Sequence, residues 1–471
     1  MKIGGSDMKK HETTDVLDQS KKEKLALSQK FGALFSAIAA AVATGYVPNY
    51  INLYYTNTVG MSMKALAAIL LITKITDGVS DIVMGMIIDR THTKFGKARP
   101  WVMAGAAGLA ITMLLLFHCP LNSEGGKIAY CTLFYFLVNP IFGTMTAGAG
   151  NTLPNLISSN SDHRAVIGVF RSFGSLIPVI LIGLVVPQFL SKMGMGQGTY
   201  DLVTIIFAVL AVVAGLLALF MIRETVTEES KDVLTEKQPV GEALKALFHN
   251  KYFLWLCGGT ILYNLSSASS GVASYYALYI FKDVGAATKI NLPSILMILL
   301  LPLGIPVIKK FGKRQSMVIG LFFAAAGHLL IFFANANMGL FMVGKMVASF
   351  GAIPYFVALI PLLGEVCDYA LYKTGKAMDG TVSSANSMGE KIGVGLATGA
   401  ASLFMGMAGY ISTTGGEVVT QPASAIFMIR FMMGIFPAIC FLLSGLCVMR
   451  VDLDKHGIED IQKELKEKHM R

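Results

Sequence analysis

The sequence predicts an all-α membrane protein of twelve transmembrane helices arranged as two pseudo-symmetric six-helix bundles. Three observations predict it. The 471 residues are 54% hydrophobic and only 14% charged, with mean hydropathy +0.61, whereas soluble domains carry about 25% charge. The apolar residues form long runs, unlike the short alternating segments of an outer-membrane barrel. Lys and Arg collect in alternate loops between these runs, the bias that orients helices in a bilayer.

A bilayer-crossing helix needs about 20 mostly apolar residues. The stretches that meet this are 31–56, 65–88, 101–119, 128–155, 166–190 and 203–222, then 252–281, 290–308, 315–334, 338–364, 380–409 and 423–449. The charged segment 223–251 divides them six and six. Residues 1–222 therefore read as an N-terminal bundle with its tail, 223–251 as a linker and 252–471 as a C-terminal bundle with its tail. The lysine-rich start (Lys9, Lys10, Lys21, Lys22, Lys24) lacks the short apolar core of a cleavable signal, so the first span serves as the insertion signal. One side of the membrane collects these lysines, Arg90, Lys94, Lys97 and Arg99, Arg164, the linker, Lys309, Lys310, Lys313 and Arg314, Lys373 and Lys376, and the tail. The other has only Lys64, Lys127, Lys192, Lys282 and Lys289. The expectation is a multi-pass protein of the cell (inner) membrane with both termini and the linker cytoplasmic. The net charge of +10 is then a matter of topology and no sign of a nucleic-acid partner. The six cysteines show no metal or CxxC spacing and read as small core residues. The tail after Arg450 reads as a short charged surface helix.

The halves also repeat. Phe95-Gly96-Lys97 follows the second span, and Phe311-Gly312-Lys313-Arg314 follows the eighth, six spans on. Parallel repeats related by an axis along the membrane normal hold substrate near the midplane between them.

Charges inside the spans are the strongest functional signal. Lys74, Asp77 and Asp81 are spaced three and then four apart and stack on one helix face. Each charge at the centre of a span costs about 2.5–3.5 kcal/mol, so such residues face the bundle interior and mark an ion or substrate path. Two carboxylates one turn apart repel unless a cation or a proton lies between them, which makes Asp77 and Asp81 a cation site and the only place for a metal, Na+. The alternative is an internal ion pair of Lys74 with Asp77, which leaves Asp81 uncompensated. Lys391, next to Glu390 in the eleventh span, is deep enough to answer these acids. Arg171, near the start of the fifth span, either joins this network or snorkels to the interface. Glu365 and Asp368, with Asp379, border the tenth-to-eleventh loop; pairing with basic loop residues such as Arg90 and Arg99 makes a cytoplasmic gate, and solvated helix ends are the other reading.

Tyr46, Asn49 and Tyr50, with Tyr54 and a helix-kinking Pro48, mark the first span, Thr146 and Asn151 the fourth, and Asn264 and Tyr275 the seventh. Amides, hydroxyls and aromatic faces suit a polyhydroxylated ligand, although interhelical hydrogen bonding accounts for any single one of them. Every Gly-Lys pair is followed by a residue other than Ser or Thr, so there is no P-loop, and there is no HExxH. A pump, a cofactor enzyme and a channel all fit less well than a carrier driven by an ion gradient.

The stretch Asp77-Gly78-Val79-Ser80-Asp81, continuing through Gly85, Asp89-Arg90-Thr91, Phe95-Gly96-Lys97 and Arg99-Pro100-Trp101, resembles the signature of the glycoside-pentoside-hexuronide cation symporters, the melibiose permease group of the major facilitator superfamily. Glu365-Val-Cys-Asp368-Tyr369, Lys373-Thr374-Gly375-Lys376, Asp379-Gly380 and Lys391-Ile392-Gly393 resemble its tenth-to-eleventh helix segment. The resemblance implies that Asp77 and Asp81 hold the coupling cation, with Ser80 in the place of a family asparagine. It implies that Lys391 links cation and sugar sites and that Arg171 matches a family arginine. The acids that clasp sugar in galactoside carriers fall on Ala41 and Thr146, and a helix-four threonine near the cation falls on Gly143. Loss of both acids favours an anionic ligand such as a uronide. The implied function is symport of Na+ or H+ with a sugar, glycoside or hexuronide by alternating access, as a monomer in the lipid bilayer. A lysolipid carrier and a non-transporting sensor are the alternatives.

Overall fold

The computed structural model describes residues 25–158, 160–225, 250–374, 379–453 and 457–467. The N-terminal lysines and most of the linker lie outside the described residues. The first half comprises α1 (Leu27–Leu53, extended by a wide π turn, Tyr54–Thr58), α2 (Met63–Asp89), α3 (Arg99–Leu116), α4 (Glu124–Ile157), α5 (Ser161–Met193) and α6 (Gln197–Met221). The second comprises α7 (Lys251–Leu265 and Ala268–Tyr279), α8 (Ala287–Leu299, bent into Gly304–Phe311), α9 (Lys313–Ala334), α10 (Met338–Thr374), α11 (Asp379–Met407) and α12 (Ala423–Met449). A short helix, α13 (Ile458–Glu467), follows.

Among the described residues, eight of these helices are long and apolar enough to cross a membrane alone, nine if the bent α8 counts as one span. Those left over are α2, α7 and α11. Two of them carry the charges inside the spans, Lys74, Asp77 and Asp81 on α2 and Glu390 and Lys391 on α11, and α7 is broken. Its break has a local cause: the Ser266 and Ser267 hydroxyls bond back to the carbonyls of Tyr263 and Asn264, both at 2.6 Å, offering the backbone an alternative to the helical ladder. The sequence had suggested one continuous span at 252–281. α12 is interrupted at Gly434. Pro437 has no N–H to bond the Met433 carbonyl one turn back, and the His328 ring donates to that carbonyl instead, at 3.0 Å.

In the first half α1 packs along α5 and α6, and α3 along α6 and α4. Tyr46 and Tyr54 lie in this core, their rings 4.6 and 5.2 Å from Phe117, and the Tyr46 hydroxyl meets Thr204 Oγ1 at 3.0 Å. In the second half α9 packs along α10 and α12, and α7 along α11 and α12. The α9–α10 approach depends on glycine: a Cβ on Gly344 would sit 2.8 Å from the Gly327 carbonyl oxygen. α10 runs ten residues past the expected end of its span, so Glu365 and Asp368 are helix residues. The tail helix α13 buries Ile458, Ile461 and Leu465 against the bundle and packs along α10. This goes beyond a solvated end.

Candidate functional site at the seam between the halves

The halves meet along α2 and α11, where small residues on α11 admit the bulk of α2. Gly406 faces Lys64, Gly399 faces Leu71, and a Cβ on Gly395 would lie 3.0 Å from Lys74 Cβ. At the end away from the Lys- and Arg-rich loops the seam is sealed. Asn57 accepts from the Tyr410 hydroxyl at 2.8 Å and donates to Tyr279 at 3.1 Å, and Thr56 meets the Tyr275 hydroxyl at 2.7 Å. Backbone bonds from Thr413, Gly415 and Gly416 to the carbonyls of Thr56, Thr58 and Asn57, at 2.7 to 2.9 Å, complete it.

On the basic side the polar contacts run within each half. Glu365 pairs with Lys313. Asp368 accepts from Gln462 of α13 at 2.6 Å. Arg99 binds the Leu219 carbonyl, while Glu224 accepts the backbone N–H groups of Lys97, Ala98 and Arg99 at 2.6, 3.0 and 2.9 Å. Arg90 is exposed. The contacts described here for Glu365, Asp368 and Arg99 each lie within their own half, and among the described residues a Cβ on Gly85 of α2 would find nothing within 4 Å.

Midway along the seam lies the charged cluster. Lys74 Nζ is 3.1 Å from Asp77 Oδ2, and Lys391 of α11 pairs with Asp81. The Lys74–Asp77 ion pair is formed, and Asp81, which that reading left uncompensated, is answered by Lys391 from the other half. The Ser80 hydroxyl donates to the Asp77 carbonyl at 2.8 Å and meets Thr144 Oγ1 at 3.2 Å, and Thr144 donates to Asp77 Oδ1 at 3.4 Å. The family resemblance puts a threonine near the cation on Gly143; the hydroxyl beside Asp77 here is that of the next residue, Thr144. It begins a new α-helical segment directly after the π segment Leu137–Gly143, and a wide turn adds a residue to the count. The carboxylates of Asp77 and Asp81 keep 16% and 32% side-chain exposure, enough for a small ion to reach them. Two carboxylates and two ammonium groups balance in this cluster. A cation bound here would use the Thr144 oxygen, and a hydrogen bond of this kind is worth about 0.5–1.5 kcal/mol. Thr144→Val is therefore expected to weaken cation activation of transport by roughly two- to tenfold, read as the cation concentration giving half-maximal uptake.

Arg171 is held between helices and does not snorkel. Its guanidinium donates to Ser36 Oγ of α1 at 2.9 Å and to Asn151 Oδ1 of α4 at 2.8 Å. Asn151 is exposed and Asn49 half-buried, the latter with its amide on the Gly45 carbonyl at 2.7 Å. Asn264, also half-buried, donates to the Thr260 carbonyl at 2.9 Å beside Gly393 of α11. Four of the expected ligand residues are buried in this conformation. Tyr46 lies in the first-half core, and Thr146 is fully buried against Gly105 of α3. Tyr275 belongs to the sealed end. Tyr50 is buried as well, its ring 5.7 Å from that of Tyr46. Four-residue spacing puts tyrosines on one face without saying which neighbour that face meets. Sequence reading also missed a chain of polar groups through the second half: Tyr355 donates to Thr260, Thr260 to Asn386, and Asn386 to Glu390, at 3.3, 3.0 and 3.1 Å.

Two helical bundles around a charged seam, sealed at one end, define a secondary transporter of the major facilitator type. The chain belongs to the family described as MFS/sugar transport protein, which matches residues 32–455. It is 26% identical over 445 residues to the isoprimeverose transporter of Lactiplantibacillus pentosus, covering 92% of this chain and 90% of that protein. It is 23% identical over 419 residues to the glucuronide carrier protein homolog of Escherichia coli (strain K12), covering 88% and 89%. A crystal structure of a D-xylose-proton symporter shares the fold, with a TM-score of 0.64 at 15% identity over 89% of this chain and 96% of that one. The protein is a multi-pass sugar transporter of the glycoside-pentoside-hexuronide group, and not an enzyme.

Proposed function

We propose that this protein is a symporter that couples Na+ or H+ to the import of a glycoside or hexuronide across the cell membrane. Its two bundles, residues 1–222 and 252–471, rock about the linker 223–251 as a monomer. The basic loops put both termini in the cytoplasm, and the conformation is then inward-facing, with its outer end shut. Asp77 and Asp81 take the coupling cation, assisted by Ser80 and Thr144.

The observation that carries this reading is the pair of Lys391 with Asp81 across the α2–α11 seam. Once the cation has left, the lysine replaces it, and the same contact ties the halves together; ion release and inter-half packing become one event. When a cation returns to the acids, Lys391 is freed toward the central space, where Arg171, Asn151, Asn49 and Asn264 offer partners for sugar hydroxyls. Two cationic side chains and no clasping acid at Ala41 or Thr146 favour a carboxylate-bearing glycoside, in keeping with the name of the glucuronide carrier relative.

The test is uptake of labelled glucuronide, pentoside and neutral disaccharide into energised membrane vesicles, with sodium and pH gradients imposed separately. Accumulation of the glucuronide under one of the gradients is expected. Accumulation of neutral sugars alone removes the hexuronide assignment, and equilibration without accumulation under both gradients removes the coupling.

A further inference from the structure

A groove of about 850 Å³ runs down the outer side of the second half, between the first segment of α7 and the end of α12, away from the α2–α11 seam. Its rim on the basic side carries Lys251 and Arg450, both exposed. The third charge on the rim, Asp452, is paired with Arg314 at 2.9 Å, which leaves the rim cationic. Below it the walls are Trp255, Leu443 and Leu446, 43%, 43% and 51% exposed, with Cys447 on the floor and Leu262 at the far end.

The groove exists because of what the helices lack. Between Trp255 and Leu262, α7 carries Gly258 and Gly259, and among the described residues the only heavy atom within 4 Å of a Cβ built on Gly258 is Cys447 Sγ at 4.0 Å. The helices are clamped below by the Ser444 hydroxyl on the Gly259 carbonyl at 2.8 Å. Lys251 begins α7 and Arg450 caps α12, so both stand at the basic-side ends of their helices, with the Trp255 indole one turn in, the arrangement of an interfacial anchor. From Lys251 to Leu262 the helix rises about 16 Å, which is acyl-chain length and too long for a compact polar solute.

We infer that this groove binds an anionic phospholipid from the leaflet on the basic side, its phosphate between Lys251 and Arg450 and one acyl chain along Gly258 and Trp255. Basic pockets between transmembrane helices are suited to such headgroups, and each Lys or Arg near an anionic headgroup is worth a factor of roughly five. The site is separate from the transport path and does not depend on which sugar or cation is carried.

The chain's two tryptophans, Trp101 and Trp255, make the test direct. The purified full-length protein is reconstituted in mixtures of zwitterionic lipid with brominated phosphatidylglycerol or with brominated phosphatidylcholine. Quenching of Trp255 is taken as the difference between wild type and Trp255→Phe. Brominated phosphatidylglycerol is expected to quench Trp255 at a mole fraction at least roughly fivefold lower than brominated phosphatidylcholine. The double variant Lys251→Gln/Arg450→Gln is expected to abolish that preference, while Gly258→Leu, which fills the groove and keeps both charges, lowers quenching by either lipid. Inorganic phosphate in solution is expected to leave the quenching unchanged. Equal quenching of the wild type by the two lipids overturns the inference, as does a preference retained by both variants or one abolished by millimolar phosphate.

Discussion

Asp77→Asn and Asp81→Asn are each expected to leave the protein folded in the membrane and to abolish gradient-driven accumulation, with sugar inside the vesicles rising only to its external concentration. Folding survives because each change removes a charge that costs about 2.5–3.5 kcal/mol to hold in a span. The lysines left behind are not stranded in hydrocarbon: the Lys391 side chain is half exposed, and Lys74 remains within reach of water. Coupling fails because an amide exchanges neither a proton nor a lysine for a cation. The two variants are expected to differ in one respect. Asp81→Asn unties Lys391 and so loosens the tie between the halves, whereas Asp77→Asn leaves that contact in place. Sugar counterflow, which needs no net cation movement, is therefore expected to persist more fully in Asp77→Asn. Uphill uptake and counterflow measured on the same vesicles check both points; full accumulation by both variants removes the cation assignment.

The parts of this site that were legible in the sequence are those that hydrocarbon makes expensive. Lys74, Asp77, Asp81 and Lys391 stand out in apolar runs, and helical spacing alone places the first three on one face. The spans themselves follow from the same contrast. What was not legible depends on direction or on conformational state. The tyrosines of α1 share a face, but only the packing of α1 on α6 decides that Tyr46 meets Thr204 and Phe207. The π segment before Thr144 defeats counting by 3.6 residues per turn. Glu365 and Asp368 have Lys313 and Gln462 as neighbours here, and no sequence pattern states which conformation is in view. The His328 bond to the Met433 carbonyl joins residues far apart in the chain, and only the missing N–H of Pro437 hints that such a donor is needed.

Gly399→Val is expected to slow transport by roughly tenfold or more, because overpacking of a tight contact costs about 1–3 kcal/mol and here that cost falls on one conformation only. In this conformation, sealed at the end away from the basic loops, the Cβ added at Gly399 overlaps the Leu71 side chain of α2. When the halves part at that end, the same methyl groups face open space, so the substitution favours the outward-facing form. Substrate binding from outside is expected to persist while the rate of uptake falls, a split that a misfolded protein would not show. A second substitution separates the seam from the helix that bears it. Leu71→Ala removes the atoms that the valine strikes, and the double variant Gly399→Val/Leu71→Ala is expected to regain much of the lost rate. If the double variant stays as slow as Gly399→Val alone, the defect lies within α11 itself; if Gly399→Val transports at the wild-type rate, α2 and α11 do not close on each other during the cycle, and the link between the Lys391 contact and movement of the halves fails with it.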